Sequence, residues 1–443
     1  MNILNPRRND RGDGDGIFRM EFPLMQWLVA GTYKIFGNHL LISRIFMFIV
    51  GLISILGIYK LLFAIFHNEV IALIGAWTFN FSPSFYYYTI NPLPDNLALC
   101  CSIWGVAFFF KWYRYGQVNL LLFSGLLLSI GALCKLPFII YFIVPFAYFL
   151  IYFLKNGISK KIIFRALGIF SFLLLPLAWY LSVVPHWHGN GIVSGVFDNK
   201  VPFATILDYL QHNLISTLPE LLLNYGSVIF FLAGFYFLIQ KKSYKSPKFP
   251  LIVAWGITVL AYFLFEINMI AKIHDYYLFP FYPLLFILVS YGAYNLLNLK
   301  NSFIRYFTII LLLILPLTVY LRMQGRWDPD SPGFNKDLLL YKNELQDAVP
   351  KNSLVVAGND ESHFIFFYYI DKKGWGYHND DLEAYKLKSM IDKGAGYLYT
   401  DSRKVDNNEE IIRLLDKLII ERGSIRIYSL KKNQPIIKKI IIE

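Results

Sequence analysis

Acidic side chains are scarce over most of this 443-residue chain. Residues 1–320 hold 11 Asp and Glu against 22 Lys and Arg, whereas residues 321–443 hold 19 and 20. Charged residues make up only 16% of the whole, where a soluble domain carries about a quarter. The shortage excludes an ordinary soluble domain over the first part and places a boundary near residue 321. Cysteine is nearly missing as well. Cys100, Cys101 and Cys134 all sit in apolar runs, which excludes a disulfide framework and a cysteine-ligated metal site. No GxxxxGK[ST], no GxGxxG opening a helix after a strand and no HExxH occurs. Nucleotide-phosphate loops and zinc-protease chemistry are thereby excluded. Internal repeats, the mark of many transporters, are not seen either.

What is present is apolar: 56% hydrophobic and 18% aromatic residues. A hydrocarbon core about 30 Å thick needs about 20 apolar residues in a helix. About ten such runs occur, near 40–63, 69–88, 95–112, 118–135, 136–154, 162–185, 220–240, 249–267, 276–298 and 302–321. The chain is therefore expected to be a polytopic α-helical membrane protein. The stretch 22–37 is too short to span and reads as an interfacial amphipathic helix, with Trp27 and Tyr33 suited to the headgroups. Three regions result: an outer loop with that helix (1–39), a transmembrane helical domain (40–321) and a soluble domain (322–443).

Loop charge supplies an orientation. Lys111 and Arg114, then Lys155, Lys160, Lys161 and Arg165, then Lys241, Lys242, Lys245 and Lys248, then Lys300 and Arg305 fall on one face. The opposing internal loops carry only Lys135, Lys200 and Lys272. Basic residues set between apolar runs report topology and not a nucleic-acid footprint, so no nucleic-acid partner is expected. By the positive-inside rule the richer face is cytoplasmic in a cell (inner or plasma) membrane, and the C-terminal domain is extracytoplasmic. Of the acids before 321 only Glu69 lies inside; Asp10, Asp13, Asp15, Glu21, Asp95, Asp198, Asp208, Glu220, Glu266 and Asp275 lie outside. The reading is an outer cavity lined with carboxylates. The plain alternative is that several of them only solvate loops. An outer N-terminus bearing Arg7, Arg8, Arg11 and Arg19 has no span before it to carry it across, so the reading expects a chain one membrane helix short.

Four segments could carry chemistry. Glu21 stands before Phe22-Pro23 at the membrane entry, either facing a helix dipole or serving a site. Asp95, in SPSFYYYTINPLPDNLAL (82–99), opens a helix, where capping alone would explain it; the nearby Tyr86, Tyr87 and Tyr88 favour a site carboxylate. Lys135, in GALCKLPF, lies between apolar runs with Leu136-Pro137 as the turn. It either snorkels to the headgroups or holds a lipid phosphate as a point charge. EINMIAKIHDYYLFPFYPLL (266–285) gathers Glu266, Lys272, His274, Asp275, Tyr276 and Tyr277. Aromatic belts explain the tyrosines but not a His-Asp pair beside a lysine. His and Lys could stabilise a departing phosphate while Asp275 orients the His. His186 and His188 share a metal-like spacing, yet two ligands alone are more simply loop polarity. No metal site is assigned. No cofactor is certain, although a divalent metal is compatible with the acids.

Residues 322–443 read as a small α/β domain. SLVVAG, AGYLYTDS and SIRIYSL are strand-like, while YKLKSMIDKG and EEIIRLLDKLIIERG are helix-like. No catalytic motif stands out.

These motifs, in this order over most of residues 5–300, resemble bacterial members of the dolichyl-phosphate-mannose–protein mannosyltransferase-like superfamily, with the lipid A aminoarabinose transferases as relatives. The quoted stretches are EFPLMQWLVAGTYKIFG, the span beginning at Arg44, SPSFYYYTINPLPDNLAL, GALCKLPF and HDYYLFPFYPLL; GNDESHFIFFYYIDKKGW is similar to the outer domain. The resemblance implies a GT-C fold and a glycosyltransferase in the cell envelope. Its donor would be a polyprenyl-phosphate-linked sugar entering from the bilayer, and its acceptor (glycan, lipid or protein) would be extracytoplasmic. It further implies catalytic Asp95 and Glu21. Donor-phosphate binding would fall to Lys135, His274, Lys272, Tyr276 and Tyr277, with Asp275 and Arg44 orienting. The family's first membrane helix and the acid after it are not found. The alternatives are a transporter or flippase for lipid-linked sugars, or an inactive, truncated relative.

Overall fold

A computed structural model of the chain describes residues 17, 20–37, 39–187, 194–197, 200–272, 274–327 and 333–431. Two compact units result, Met20–Arg326 and a second formed by Trp327–Glu443 with Met1–Arg19.

The first unit is a bundle of apolar helices, as a chain with no water to satisfy its backbone must be. Amphipathic α1 (Leu24–Phe36) leads into α2 (Leu40–Phe66), α3 (Glu69–Asn80), α4 (Pro83–Tyr88), α5 (Pro94–Tyr115) and α6 (Val118–Cys134). Later helices include Ile143–Asn156, Lys160–Phe170, Gly226–Gln240, Phe249–Phe265, Tyr282–Leu297 and Ser302–Gln324. The apolar runs are less uniform than the sequence suggests. Among the described residues, six helical stretches are long and apolar enough to cross a membrane, and three more helices are apolar but shorter. The run 69–88 breaks at Phe81-Ser82, because Pro83 cannot continue the preceding helix and starts α4 instead. The run 220–240 is broken more sharply. A π-helical segment, Asn213–Leu222, contains Pro219. Asn224 and Tyr225 then take positive φ, and Gly226–Gln240 leaves at 107° to the segment before it. The protein is thus a multi-pass membrane protein with broken as well as continuous spans.

One helix pair is fixed by glycine. A Cβ at Gly292 would strike the Phe230 carbonyl, and one at Gly234 would strike the Leu288 carbonyl. Helices Gly226–Gln240 and Tyr282–Leu297 therefore meet backbone to backbone, the small-residue packing of membrane interiors.

The second unit is a five-stranded sheet in the order β2-β1-β3-β5-β4. The strands are β1 (Leu354–Gly358), β2 (Lys373–Gly376), β3 (Ala395–Thr400), β4 (Leu415–Arg422) and β5 (Ile425–Leu430). β1 pairs in parallel with β2 and β3; β5 is antiparallel to β3 and β4. Both faces are covered. Val356 and Leu398 pack with Leu387 and Ile391 on one side, and Val355, Ala357 and Tyr399 pack with Phe366, Phe367 and Ile370 on the other. Continuous apolar strands are what a doubly covered sheet requires. The long helix expected over 409–423 does not form. Glu409–Ile412 is a single turn, and the rest is edge strand β4, paired to β5 around Gly423 at φ 58°. Cross-strand pairing overrides the local helical pattern. Arg426 and Asp406 form a buried ion pair in this unit.

Candidate active site

Three chain segments converge on Lys135. The residue ends α6 in an extended conformation, and Leu136–Phe142 follows as a 3₁₀ turn containing Pro137. Proline at that point prevents α6 from running on, so the lysine is held at a break in the helix. Lys135 is 7% exposed. Its ammonium donates to Glu21 Oε1 at 2.6 Å and stands 3.8 Å from Asp95 Oδ2. On a further side it lies 5.1 Å over the ring of Tyr277, a cation–π contact.

Each partner is positioned by its own segment. The Phe22 N–H bonds the Leu133 carbonyl at 3.1 Å, pinning Glu21 beside the end of α6. The Phe22 ring is wedged between Trp27 and Trp179 at 4.9 and 5.0 Å. The Trp179 indole N–H donates to the Met20 carbonyl at 3.2 Å. Asp95 lies in the first turn of α5 behind Pro94 and is 2% exposed. Its neighbour Asn96 donates to the Tyr88 and Asn91 carbonyls at 2.6 and 2.9 Å, tying α5 to the end of α4. Asp95 makes an ion contact with Lys135 and is thus more than a helix cap.

A second ionic cluster surrounds Asp275. This buried carboxylate accepts from Ser84 Oγ, from Tyr88 Oη at 2.9 Å and from Arg326 Nη1 at 3.3 Å. The Arg326 guanidinium also lies 5.1 Å over the Tyr87 ring. The two clusters are joined by aromatic rings: Tyr88 meets Tyr276 at 5.4 Å, and Tyr276 stacks on Tyr277 at 4.9 Å. Buried charges persist only where they are paired and hydrogen-bonded, and both clusters meet that condition.

The structure thus brings together Glu21, Asp95, Lys135, Tyr276 and Tyr277. It does not join His274 to Asp275. His274 Nδ1 donates to the Met269 carbonyl at 2.9 Å, and Asp275 opens a 3₁₀ turn that aims it at α4. The expected orienting pair is therefore replaced by a Ser84–Tyr88–Arg326 cradle. The His274 ring remains close, 5.8 Å from that of Tyr277. Lys272 pairs with Asp208 at 2.7 Å, and both side chains are about half exposed. Arg44, in the first turns of α2, is exposed and makes no ion pair among the described residues. His186 is exposed; His188, Asp10, Asp13, Asp15 and Asp198 lie outside the described residues. No group of three or more His, Cys, Asp and Glu side chains suits a metal among the described residues.

One participant escaped the sequence reading. Arg326 lies beyond the last apolar run, and no motif or spacing in the sequence singles it out. Glu266, which the sequence placed in the 266–285 outer segment, is 4% exposed, and its Oε2 has no hydrogen-bond partner among the described residues.

The helical bundle and the small sheet domain are those of a GT-C-like fold. The family model described as dolichyl-phosphate-mannose-protein mannosyltransferase matches residues 21–180. The chain is similar in fold to ArnT from Cupriavidus metallidurans, solved bound to undecaprenyl phosphate. The TM-score is 0.63 at 12% identity, with 97% of this chain and 90% of that one covered. The apo state of the same protein gives 0.62 at 13% identity over the same shares. The archaeal oligosaccharyltransferase AglB from Archaeoglobus fulgidus, in complex with an inhibitory peptide and a dolichol-phosphate, gives 0.59 at 10% identity. That comparison covers 90% of this chain and 63% of AglB. No curated protein matches the sequence.

Proposed function

We propose that this protein is an integral membrane glycosyltransferase that moves a sugar from a polyprenyl-phosphate-linked donor to an extracytoplasmic acceptor. The observation that carries the reading is Lys135, buried with Glu21, Asp95 and Tyr277 around it. A family match over residues 21–180, which hold Glu21, Asp95 and Lys135, supports it. So do two structural neighbours that were captured with polyprenyl phosphates.

The chemistry follows from charge. In the transfer step the acceptor oxygen bonds to the sugar C1, the C1–phosphate bond breaks, and the acceptor proton must leave. Asp95 takes that proton as general base. Glu21 keeps the Lys135 ammonium in place, and the ammonium attracts the phosphate as it departs with its electron pair. One cation between two carboxylates leaves an excess of negative charge, which suits a sugar whose C1 becomes positive in the transition state. The rings of Tyr276 and Tyr277 wall the site. By loop charge the basic face is cytoplasmic, and the site and the 322–443 domain belong to the other side.

The test is transfer in proteoliposomes from a panel of labelled polyprenyl-phosphate sugars to envelope acceptors. The reading predicts transfer from at least one donor, lost in Asp95→Asn. Inactivity with every donor, from protein shown to be folded, would overturn it.

A further inference from the structure

A third charged cluster lies at the far end of α5. That helix has 22 residues, so Arg114 in its last turn stands about 30 Å from Asp95 along the axis. Lys111 precedes Arg114 by one turn, and Lys60 projects from the last two turns of α2. His67 closes α2 in the left-handed conformation, at φ 56°. Lys248, from the loop before Phe249–Phe265, donates to the Ala64 and Ile65 carbonyls at 3.0 and 2.6 Å. Lys60, His67, Lys111 and Arg114 line one cavity of about 320 Å³ whose walls include Phe63, Trp104 and Phe108.

The cluster holds cations without their counter-charge. None of Lys60, Lys111, Arg114 and Lys248 forms an ion pair with a carboxylate among the described residues. Glu69, the nearest acid in sequence, is exposed and pairs with none of them. Two cations instead bracket one imidazole: Arg114 Nη1 lies 2.6 Å from His67 Nδ1, and Lys248 Nζ lies 3.2 Å from His67 Nε2. A neutral imidazole has a single acceptor nitrogen, so one of those contacts sets donor against donor. Protonating the ring makes both so. Burial, then Lys248 and Arg114, hold the His67 pKa below its ordinary value. An anion in this cavity would relieve the conflict.

Next to it is an apolar space. Lys248 also lines a cavity of about 530 Å³ whose other walls include Phe235, Ile252, Leu284 and Leu288. An anionic head beside a greasy slot, at a membrane-facing helix end, is the chemistry of a phospholipid.

We propose that the end of the bundle formed by α2, α5 and Lys248 binds the phosphate of an anionic phospholipid, with an acyl chain along the apolar cavity. The site stands at the opposite end of α5 from the Lys135 cluster and is independent of the reaction there.

The test uses the full chain in nonionic detergent and native mass spectrometry. The probes are dioleoyl-phosphatidylglycerol, dioleoyl-phosphatidylcholine and inorganic phosphate. The variant Lys111→Gln/Arg114→Gln removes two exposed charges, and Lys155→Gln/Lys161→Gln removes two from the ends of helices Ile143–Asn156 and Lys160–Phe170. Phosphatidylglycerol should bind about thirtyfold more weakly to the first variant and unchanged to the second. Phosphatidylcholine should bind weakly to all three proteins, and millimolar phosphate should not displace the lipid. Lys60→Gln alone, a single surface change, should show a smaller loss in the same direction if the double variant unfolds. Equal losses in both double variants, no loss in the first, or equal binding of the two lipids would overturn the proposal. Displacement by phosphate would reassign the cavity to a soluble anion and overturn the lipid assignment.

Discussion

Lys135 donates to Glu21 at 2.6 Å, closing a contact across 114 positions of chain. The bond clamps the break after α6 to the segment that enters α1. Its removal therefore tests structure and chemistry together. Lys135→Met leaves two buried carboxylates without a cation and should cost about 3–5 kcal/mol, read as a lower unfolding midpoint in detergent. Lys135→Arg keeps the charge but replaces a point donor with a planar fork. It should retain the fold and lose most transfer.

Asp95→Asn keeps the shape of the side chain and removes the proton acceptor. Transfer should fall by about 10²–10⁴-fold with little change in the unfolding midpoint, because Asp95 is the more distant of the two partners of Lys135. Glu21→Gln, assayed in parallel, should lose less activity and more stability. The reverse ranking would exchange the two roles.

Arg326→Ala strands Asp275, which is 4% exposed, and should cost about 3 kcal/mol. Asp275→Asn in that background should restore part of the loss, since Ser84 and Tyr88 still bond to the amide. The double-mutant cycle measures the coupling. A value near zero would show that the ion contact carries no net stability.

In the second unit the Asp380 carboxyl is held below its ordinary pKa of 3.8, first by a hydrogen bond from Ser402 and then by one from Asn359. A depressed carboxylate adds stability that is complete above the unfolded pKa and fades as the pH falls through the folded one. Hydrogen exchange of β1 and β3 in the full chain should therefore speed up below about pH 4. Asp380→Asn should flatten that acid limb. The effect should be small, because the group is only partly buried.

The elements that the sequence revealed share a cause: their signal is local. Long apolar runs, prolines after Lys135 and before Asp95, and short apolar strands each state their structure within a few residues. What it hid depends on direction and distance. His274 and Asp275 are adjacent in sequence, yet consecutive residues at the start of a 3₁₀ turn point apart, so adjacency did not make a pair. Arg326 reaches Asp275 across 51 residues, a contact that no spacing rule exposes. Edge strand β4 carries a helical pattern and is decided by its partner β5.

Burial along the bundle is uneven in a way that separates the lipid's influence from the site. In α5, which carries Asp95, 78% of the membrane-length window is enclosed by protein; in Ser302–Trp327 the share is 17%, and in Lys160–His186 it is 22%. A thicker or thinner bilayer acts on helices through the surface they show to it. The outer helices therefore absorb such changes by tilting, while the depth of Asp95 is set by its protein neighbours. The carboxylate keeps its height when the membrane does not.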